Sequence, residues 1–403
     1  MALSELRFGH ELNDLVRDGE GIIATITHRE TGRETSVGAR FVVAADGASS
    51  PMRAALGIEM VGPGILANMV GIYFRADLAD IGRRRPALLY LIERPDARGT
   101  MAAVDLRERW AFMRSYRPDR GERLDDFTDA RCVELVRAAV GIENLSVEIL
   151  AVLPWQIAAA TAERFRDGCV MLAGDAAHRF GAGIQGMNVG IADAHNLVWK
   201  LAGVIDGWAG AGLLDTYDVE RRAVALSLSE QGMLNMASGG QGQREEHFST
   251  RGLVLGTSYA STAVIPDGTD LPPTANPRTE YTPTARPGSR APHVWLERDG
   301  QRISTIDLFD TRCVLLTGEA GVAWMDAAER VQRRSGIPLD RFMIGASGDL
   351  NDPGNVWLQL YGVGADGAVL VRPDGHVAWR ATHGEVDPDA TLSTALDHVL
   401  SRA

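Results

Sequence analysis

The chain has 403 residues, of which 45% are hydrophobic and 23% charged, with a formal net charge of −12. That is a globular composition with a large core, and the length suggests roughly two to three domains. The acidity argues against nucleic acid and anionic membrane surfaces as partners, because both call for clustered Lys and Arg, and no apolar run nears the ~20 residues of a membrane helix.

At the N-terminus Glu5, Arg7, Glu11 and Asp14 interrupt any signal-peptide core, so a cytoplasmic protein is the default expectation. Ile22, Ala24 and Ile26 alternate with polar neighbours, Thr31-Gly32 is a hairpin turn, and Val37, Ala39 and Phe41 resume the strand. Phe41 to Ala45 is an apolar strand leading into Asp46-Gly47-Ala48-Ser49-Ser50-Pro51-Met52-Arg53. Gly71 to Arg75, Leu88 to Ile92 and Trp110 to Arg114 read as strands, and Asp129 to Val140 as a helix with Val133, Val136 and Val140 on one face.

Residues 170 to 200 are the most informative segment. A short apolar run, Val170 to Ala173, stops at Gly174-Asp175; a glycine-rich loop follows, then a helix whose Ile191, Ala194, Val198, Leu201 and Ile205 make one apolar face. Strand, glycine loop and helix start together suit an anionic or polar cofactor group, because the first helical amides are unpaired and the dipole favours negative charge. Asn188 is a candidate cap for that helix. The carboxylate of Asp175, at the strand end, can accept hydrogen bonds from hydroxyls. Two literal GxGxxG strings occur, at Gly181, Gly183, Gly186 and at Gly362, Gly364, Gly367, and neither has the strand–turn–helix context of a dinucleotide fingerprint. The second runs into Ala368-Val-Leu-Val and reads as a turn.

A long helix begins near Thr216, with Asp215 as its candidate cap. Residues 265–292 read as a proline-rich linker. Beyond it, strand and helix alternate: Arg312 to Thr317, Ala323 to Arg333, a hairpin across Pro373-Asp374-Gly375, and a last helix from Asp389 to Leu400. Cys132, Cys169 and Cys313 form no CxxC, disulfide framework or metal spacing, so no metal site is expected. Lys200 is the chain's one lysine.

The string GDAAH followed by GMNVGIADAHNLVWKL resembles the second flavin-contact motif of the class A flavoprotein monooxygenases, the FAD-dependent aromatic hydroxylases with the p-hydroxybenzoate hydroxylase fold. Asp46, Gly47, Ser50 and Arg53 resemble the family's DG motif, DGxxSxxR. Leu213 to Arg222, Ala285 to Gly288, Ala291 to Trp295 and Val369 to Trp379 also match, the later ones resembling the phenol and polyketide hydroxylase subgroup. The resemblance implies an α/β chain: an FAD-binding, Rossmann-like domain in two pieces (1–60 and 161–264), an inserted β-sheet substrate domain (61–160), the linker, and a thioredoxin-like domain (293–403).

It further implies FAD, NAD(P)H and O₂ as cofactor and co-substrates, with hydroxylation of a small aromatic or polyketide-derived substrate as the reaction. Asp46, Gly47, Arg53, Gly174, Asp175, Gly183, Gly186, Met187 and Asn188 are the implied cofactor residues, and Tyr90, Trp110, Phe112 and Trp155 are candidate walls of the substrate pocket. No side chain is assigned as catalytic, since the chemistry belongs to the cofactor.

Two departures stand beside it. The family's opening strand–GxGxxG–helix unit is not among these residues, so Met1 to Phe8 reads as a strand well inside the FAD domain. The segment Arg179-Phe-Gly-Ala-Gly-Ile-Gln185 lacks the family's proline pair and is one residue short, and prolines there would fix the loop. Two other readings therefore stay open: an FAD-free homologue acting as a cofactor-independent cyclase or isomerase in a polyketide pathway, and a non-catalytic binding or partner protein. A sheet without the first unit is expected to expose apolar edges such as Phe41 to Ala45, which suggests poor solubility, a homodimer, or another element filling the gap.

Overall fold

The computed structural model describes residues 4–19, 21–181, 186–237 and 251–402. They form two compact units: Met1–Met60, Thr161–His178 and Gly183–Ala403 make one, Val61–Ala160 and Arg179–Ala182 the other.

The first unit opens with an antiparallel sheet, β1 (His10–Asp18), β2 (Gly21–His28) and β3 (Glu34–Ala39), in sequence order. Its second turn ends at Gly32, which takes the positive φ that the turn requires. The short strand β4 (Val42–Ala44) follows, and then helix α1 (Pro51–Ala55).

The second unit is an open sheet covered on one side. β5 (Met60–Arg75), helix α2 (Ala79–Arg84), β6 (Leu89–Ile92), β7 (Gly99–Ala103), β8 (Arg109–Tyr116), helix α3 (Asp129–Val140) and β9 (Glu148–Ala162) follow in the chain. The sheet order is β9–β5–β8–β7–β6. Ile72 pairs with Phe112 and Phe74 with Trp110, so all four side chains share a face. The Thr128 hydroxyl caps the start of α3, and Gly141 ends it in a left-handed conformation. Cys132, Leu135, Val136 and Ala139 lie along one side of α3 and pack on that sheet face with Val70, Ile72 and Phe74.

The chain then returns to the first unit. β10 (Arg166–Asp167) pairs antiparallel with β11 (Val170–Leu172), and β11 runs parallel to β4. β12 (His178–Arg179) precedes the long helices α4 (Gly186–Asp206) and α5 (Asp215–Ala237), with the short α6 (Arg251–Leu255) after them. Asp215 is the first residue of α5, and its carboxylate pairs with Arg166 at 2.5 Å.

The C-terminal layer begins with a hairpin, β13 (Trp295–Arg298) and β14 (Gln301–Ser304). Next come β15 (Cys313–Gly318), α7 (Val322–Ser335), β16 (Leu339–Ile344), α8 (Trp357–Tyr361), β17 (Ala368–Val371), β18 (Val377–Ala381) and α9 (Pro388–Val399). The sheet order is β16–β15–β17–β18, with β15/β16 parallel and the other pairs antiparallel. This is a thioredoxin-like layer. Every residue of β15 and β17 is buried, because one sheet face packs Leu315 and Leu370 against Trp324 and Leu396 while the other packs Leu316 and Val369 against Trp357 and Tyr361. Cys313 is wholly buried, which pushes its thiol up to about 12 and makes it core rather than redox machinery.

Residues 265–292 are irregular, as their prolines require, yet they do not hang free. Ile265 N–H donates to Ala378, Gly288 N–H to Val377 and Ala291 N–H to Gly375, each at 2.8 Å, which ties the segment along the β17–β18 hairpin. The second glycine triplet is a turn: Gly362 ends α8 with positive φ, and a Cβ on Gly367 would meet the Ala381 carbonyl oxygen at 2.7 Å.

Candidate functional site

The site is built on the carboxyl ends of β4 and β11. Ala44 pairs with Leu172, and Ala173 N–H continues the ladder by donating to Ala44 at 3.0 Å. Both chains then turn away, Gly47 and Gly174 at positive φ, leaving the carboxylates of Asp46 and Asp175 exposed just beyond two adjacent parallel strands. In open α/β sheets that edge is where ligands bind.

The first turn is self-supporting. Asp46 accepts the Met52 amide at 3.0 Å, and buried Ser50 accepts the Arg53 amide at 3.0 Å, so the two side chains hold the start of α1. Arg53 then joins the two motifs, donating to the carbonyls of Ala48 at 3.1 Å and Ala176 at 2.8 Å. Residues 123 apart in sequence are thereby fixed in one place.

The second turn, Gly174–Ala176, is gripped from behind by α4. A Cβ on Gly190 would meet the Gly174 Cα at 3.1 Å, so the helix lies directly on the turn, and a side chain there would push it away. Gly174 N–H donates to Asp193 at 3.1 Å. Asp193 is fully buried, takes His178 Nε2 at 2.6 Å on the same oxygen, and takes Arg221 Nε at 2.8 Å on the other. Burial works against its ionised form, but His178 and then Arg221 outweigh it and hold the carboxyl below its usual range.

α4 corrects the sequence expectation about its face. Ile191, Val198 and Ile205 are exposed, and Met187 is 77% exposed. The buried side carries Asp193, Asn196 and Lys200 beside Val189, Leu197 and Trp199. Apolar periodicity finds a face but not the partner that covers it, and here the polar stripe costs little because each group is paired. Lys200 Nζ donates to Glu220 at 2.8 Å and to Asn196 at 2.9 Å. Arg372, from the turn between β17 and β18, grips Glu220 with two bonds of 2.6 and 2.8 Å and also pairs with Asp374. Asn196 donates to both carboxylates, and Ser261 to Glu220. Burial pushes the Lys200 amine down to about 8 against the pull of Glu220.

The structure also places the other expected residues. Asn188 lies inside the first turn of α4, so it is not the cap, and Gly183 lies outside the described residues. Gly186, Met187 and Asn188 are the first described residues of α4, at the positive end of its dipole, and Met187 and Asn188 are exposed. Trp110 and Phe112 are 1% and 0% exposed and belong to the core under α3, with Tyr90 packed on Trp110 at 5.8 Å. They are core residues, not walls of an open face. The uncovered face carries Trp155 with Tyr73, Leu153, Leu89 and Leu91, all exposed, and Gly71 lies close beneath Trp155 and Tyr73. Alternation along β5 and β8 separates these two sets, but only once α3 is known to cover the Phe112 side. Asp193 and Arg221 were also missed, although Asp193, Asn196 and Lys200 form a polar stripe at helical spacing.

FAD suits this arrangement on the chain's own geometry. Two exposed carboxylates at strand ends can accept from cofactor hydroxyls, the α4 start suits anionic or carbonyl oxygens, and the close approach of Gly190 to Gly174 brings that helix start against the turn that carries Asp175.

Comparison with known proteins agrees. The family model described as an FAD binding domain matches residues 2–231, and that of the aromatic-ring hydroxylase C-terminal domain matches residues 284–403. A putative polyketide hydroxylase of Streptomyces halstedii is 41% identical, the match covering 98% of this chain and 74% of that protein. Aklavinone 12-hydroxylase RdmE of Streptomyces purpurascens is 40% identical over 98% of this chain and 75% of its own length. Among solved structures, a ternary complex of aklavinone-11 hydroxylase with FAD and aklavinone superposes with a TM-score of 0.89 at 38% identity, covering 98% of this chain and 74% of that one. No described helix is long and apolar enough to cross a membrane. Motifs, geometry and relatives converge, and the chain belongs to the FAD-dependent aromatic-ring hydroxylases, a family of flavoprotein monooxygenases.

Proposed function

We propose that this chain hydroxylates a fused-ring aromatic substrate of the polyketide kind, with Asp46, Gly47, Arg53, Gly174, Asp175, Gly186, Met187 and Asn188 holding FAD. The observation that carries the reading is the pair of exposed carboxylates beyond β4 and β11, locked together by Arg53. The hydroxylases among its relatives, one of them solved with FAD and aklavinone, support the substrate class.

FAD bound there would supply the chemistry, reduction by NAD(P)H and transfer of one oxygen atom of O₂ to an electron-rich ring carbon, with the other leaving as water. The chain's own work is to hold and exclude. Asp175 and Asp46 accept cofactor hydroxyls, and Arg53 keeps their two turns in register. The uncovered sheet face with Tyr73, Leu153 and Trp155 offers flat apolar area for a polycyclic ring and strips water from it. No general acid or base is assigned. A cytoplasmic location and a homodimer belong to the same proposal, and sedimentation of the purified chain tests the second.

The test is the visible spectrum of the purified protein after incubation with FAD and desalting, then after NAD(P)H. Flavin bands that bleach on reduction support the reading, whereas a colourless protein that never retains FAD removes oxygenation from it. Asp175→Ala is expected to weaken FAD binding about ten- to hundred-fold, the worth of one or two charge-assisted hydrogen bonds. Its melting temperature should stay put, because Asp175 is exposed.

A further inference from the structure

We infer that Asp193 is the positioning residue of the cofactor site, the buried group that fixes the turn 174–178 so that Asp175 stands at the end of β11. The inference rests on the proposed FAD site and adds a residue that touches neither cofactor nor substrate.

The argument is geometric. One oxygen of Asp193 holds both ends of the turn: the Gly174 amide at 3.1 Å and the His178 ring at 2.6 Å. Between those two anchors lies Asp175, whose side chain points to solvent. The other oxygen is held by Arg221 at 2.8 Å, and Arg221 is itself fixed by the Tyr259 hydroxyl at 3.0 Å and the Val189 carbonyl at 3.3 Å. Asp193, His178 and Arg221 are each at least 97% buried, so the carboxylate cannot exchange its partners for water. Gly190, one helical turn before Asp193, is the residue lying on Gly174. The helix therefore meets the turn twice, once by contact and once by charge.

Arg221 also joins this clamp to the C-terminal layer. Tyr259, which it holds, packs on His376 with ring centres 4.2 Å apart and the planes tilted by 31°, and Arg372 lies 5.1 Å from the Trp199 ring and 5.3 Å from the Tyr259 ring. The same α5 turn presents Glu220 to Arg372. The hydrogen bonds of Glu220 go to Asn196, Lys200, Ser261 and Arg372 and not to the turn at Gly174, which makes it the matched control: a buried charge of the same kind, one residue from Arg221.

The experiment compares wild type, Asp193→Asn and Glu220→Gln by hydrogen exchange of the 172–178 segment without cofactor and by titration with FAD. Asp193→Asn is expected to speed exchange of the Gly174 amide about tenfold or more, as loss of a charged acceptor implies, and to raise the Kd for FAD by a similar factor with a shifted flavin absorption envelope. Glu220→Gln should leave both unchanged, apart from any loss of overall stability. Should Asp193→Asn fail to fold, Asp193→Glu keeps the charge opposite Arg221 while displacing it by one methylene, and it is expected to show the same two changes. Unchanged protection of the turn in the asparagine or glutamate variant, or equal loss of FAD in Glu220→Gln, overturns the inference. A wild-type chain that binds no FAD removes the proposed function instead, and the exchange comparison alone then decides whether Asp193 sets the turn.

Discussion

Among the described residues of 61–160 no polar or charged side chain is buried, and α3 meets its sheet through Val70, Ile72, Phe74, Trp110, Phe112, Leu135 and Val136. In the other unit α4, α5 and the β17–β18 turn meet through Asp193, Asn196, Lys200, Glu220, Arg221, Arg372 and Asp374, every one of them buried. The apolar interface is non-directional: it rewards area and fills by shape, so neighbouring side chains can shift to absorb a change. The charged one is satisfied only when each donor meets its acceptor, so it accepts one arrangement of helix, helix and turn. Only the Asp193–Arg221 part of that network reaches the Gly174–His178 turn, and there a directional contact fixes a loop as apolar packing would not. A sheet proposed to offer its open face to a flat apolar molecule needs only the apolar kind.

The sharpest way to break this contrast is Glu220→Ala. It strands Lys200 and Arg372 with Asp374 as their remaining carboxylate, and we expect a loss of about 3–5 kcal/mol in denaturant unfolding, as for other broken buried pairs. A loss below about 1 kcal/mol would place this cluster among ordinary surface pairs. The next test uses pH. Burial holds the folded Lys200 amine near 8, whereas an unfolded lysine titrates near ~10.4. Between those values the unfolded chain binds more protons, so wild-type stability should rise with pH relative to Lys200→Met. The slope is at most about 1.4 kcal/mol per pH unit, and it is absent below the folded value. Unfolding curves from pH 7 to about 10 check it, and a flat difference would mean that the amine stays charged throughout. The smallest effect belongs to the apolar unit. Ile72→Val should cost about 0.5–1.5 kcal/mol with no pH dependence, since Ile72 is fully buried among aliphatic and aromatic neighbours.

That contrast also explains what the sequence made legible. Alternation and helical spacing located β6, β8, α3, β15, β17 and β18 to within a few residues, because apolar burial leaves a periodic trace, but they found only the last five residues of β5 and neither β16 nor the β13–β14 hairpin. The motifs at Asp46 and Gly174 were legible because turns and helix starts constrain residue type. What stayed hidden was which side of each element is covered. Trp110 and Phe112 look like pocket aromatics until α3 is placed over them. The stripe of Ile191, Val198 and Ile205 looks like the core face of α4, yet Asp193 and Lys200 occupy the interior. A buried charge network has partners from distant parts of the chain: Asn196 and Asp374 are 178 residues apart, Arg372 and Glu220 152. No local pattern records such pairings.

The burial of Lys200 turns the molecule's one lysine side chain into a reporter. Every other basic residue that is permanently charged is an arginine, so a reagent that acylates lysine amines finds no target on the folded surface besides the α-amino group. Modification at position 200 can then proceed only through molecules that have opened around α4, and its rate clocks that opening. The same property makes surface coupling through lysines ineffective for this chain, and it gives trypsin only arginine bonds to cut until the structure gives way.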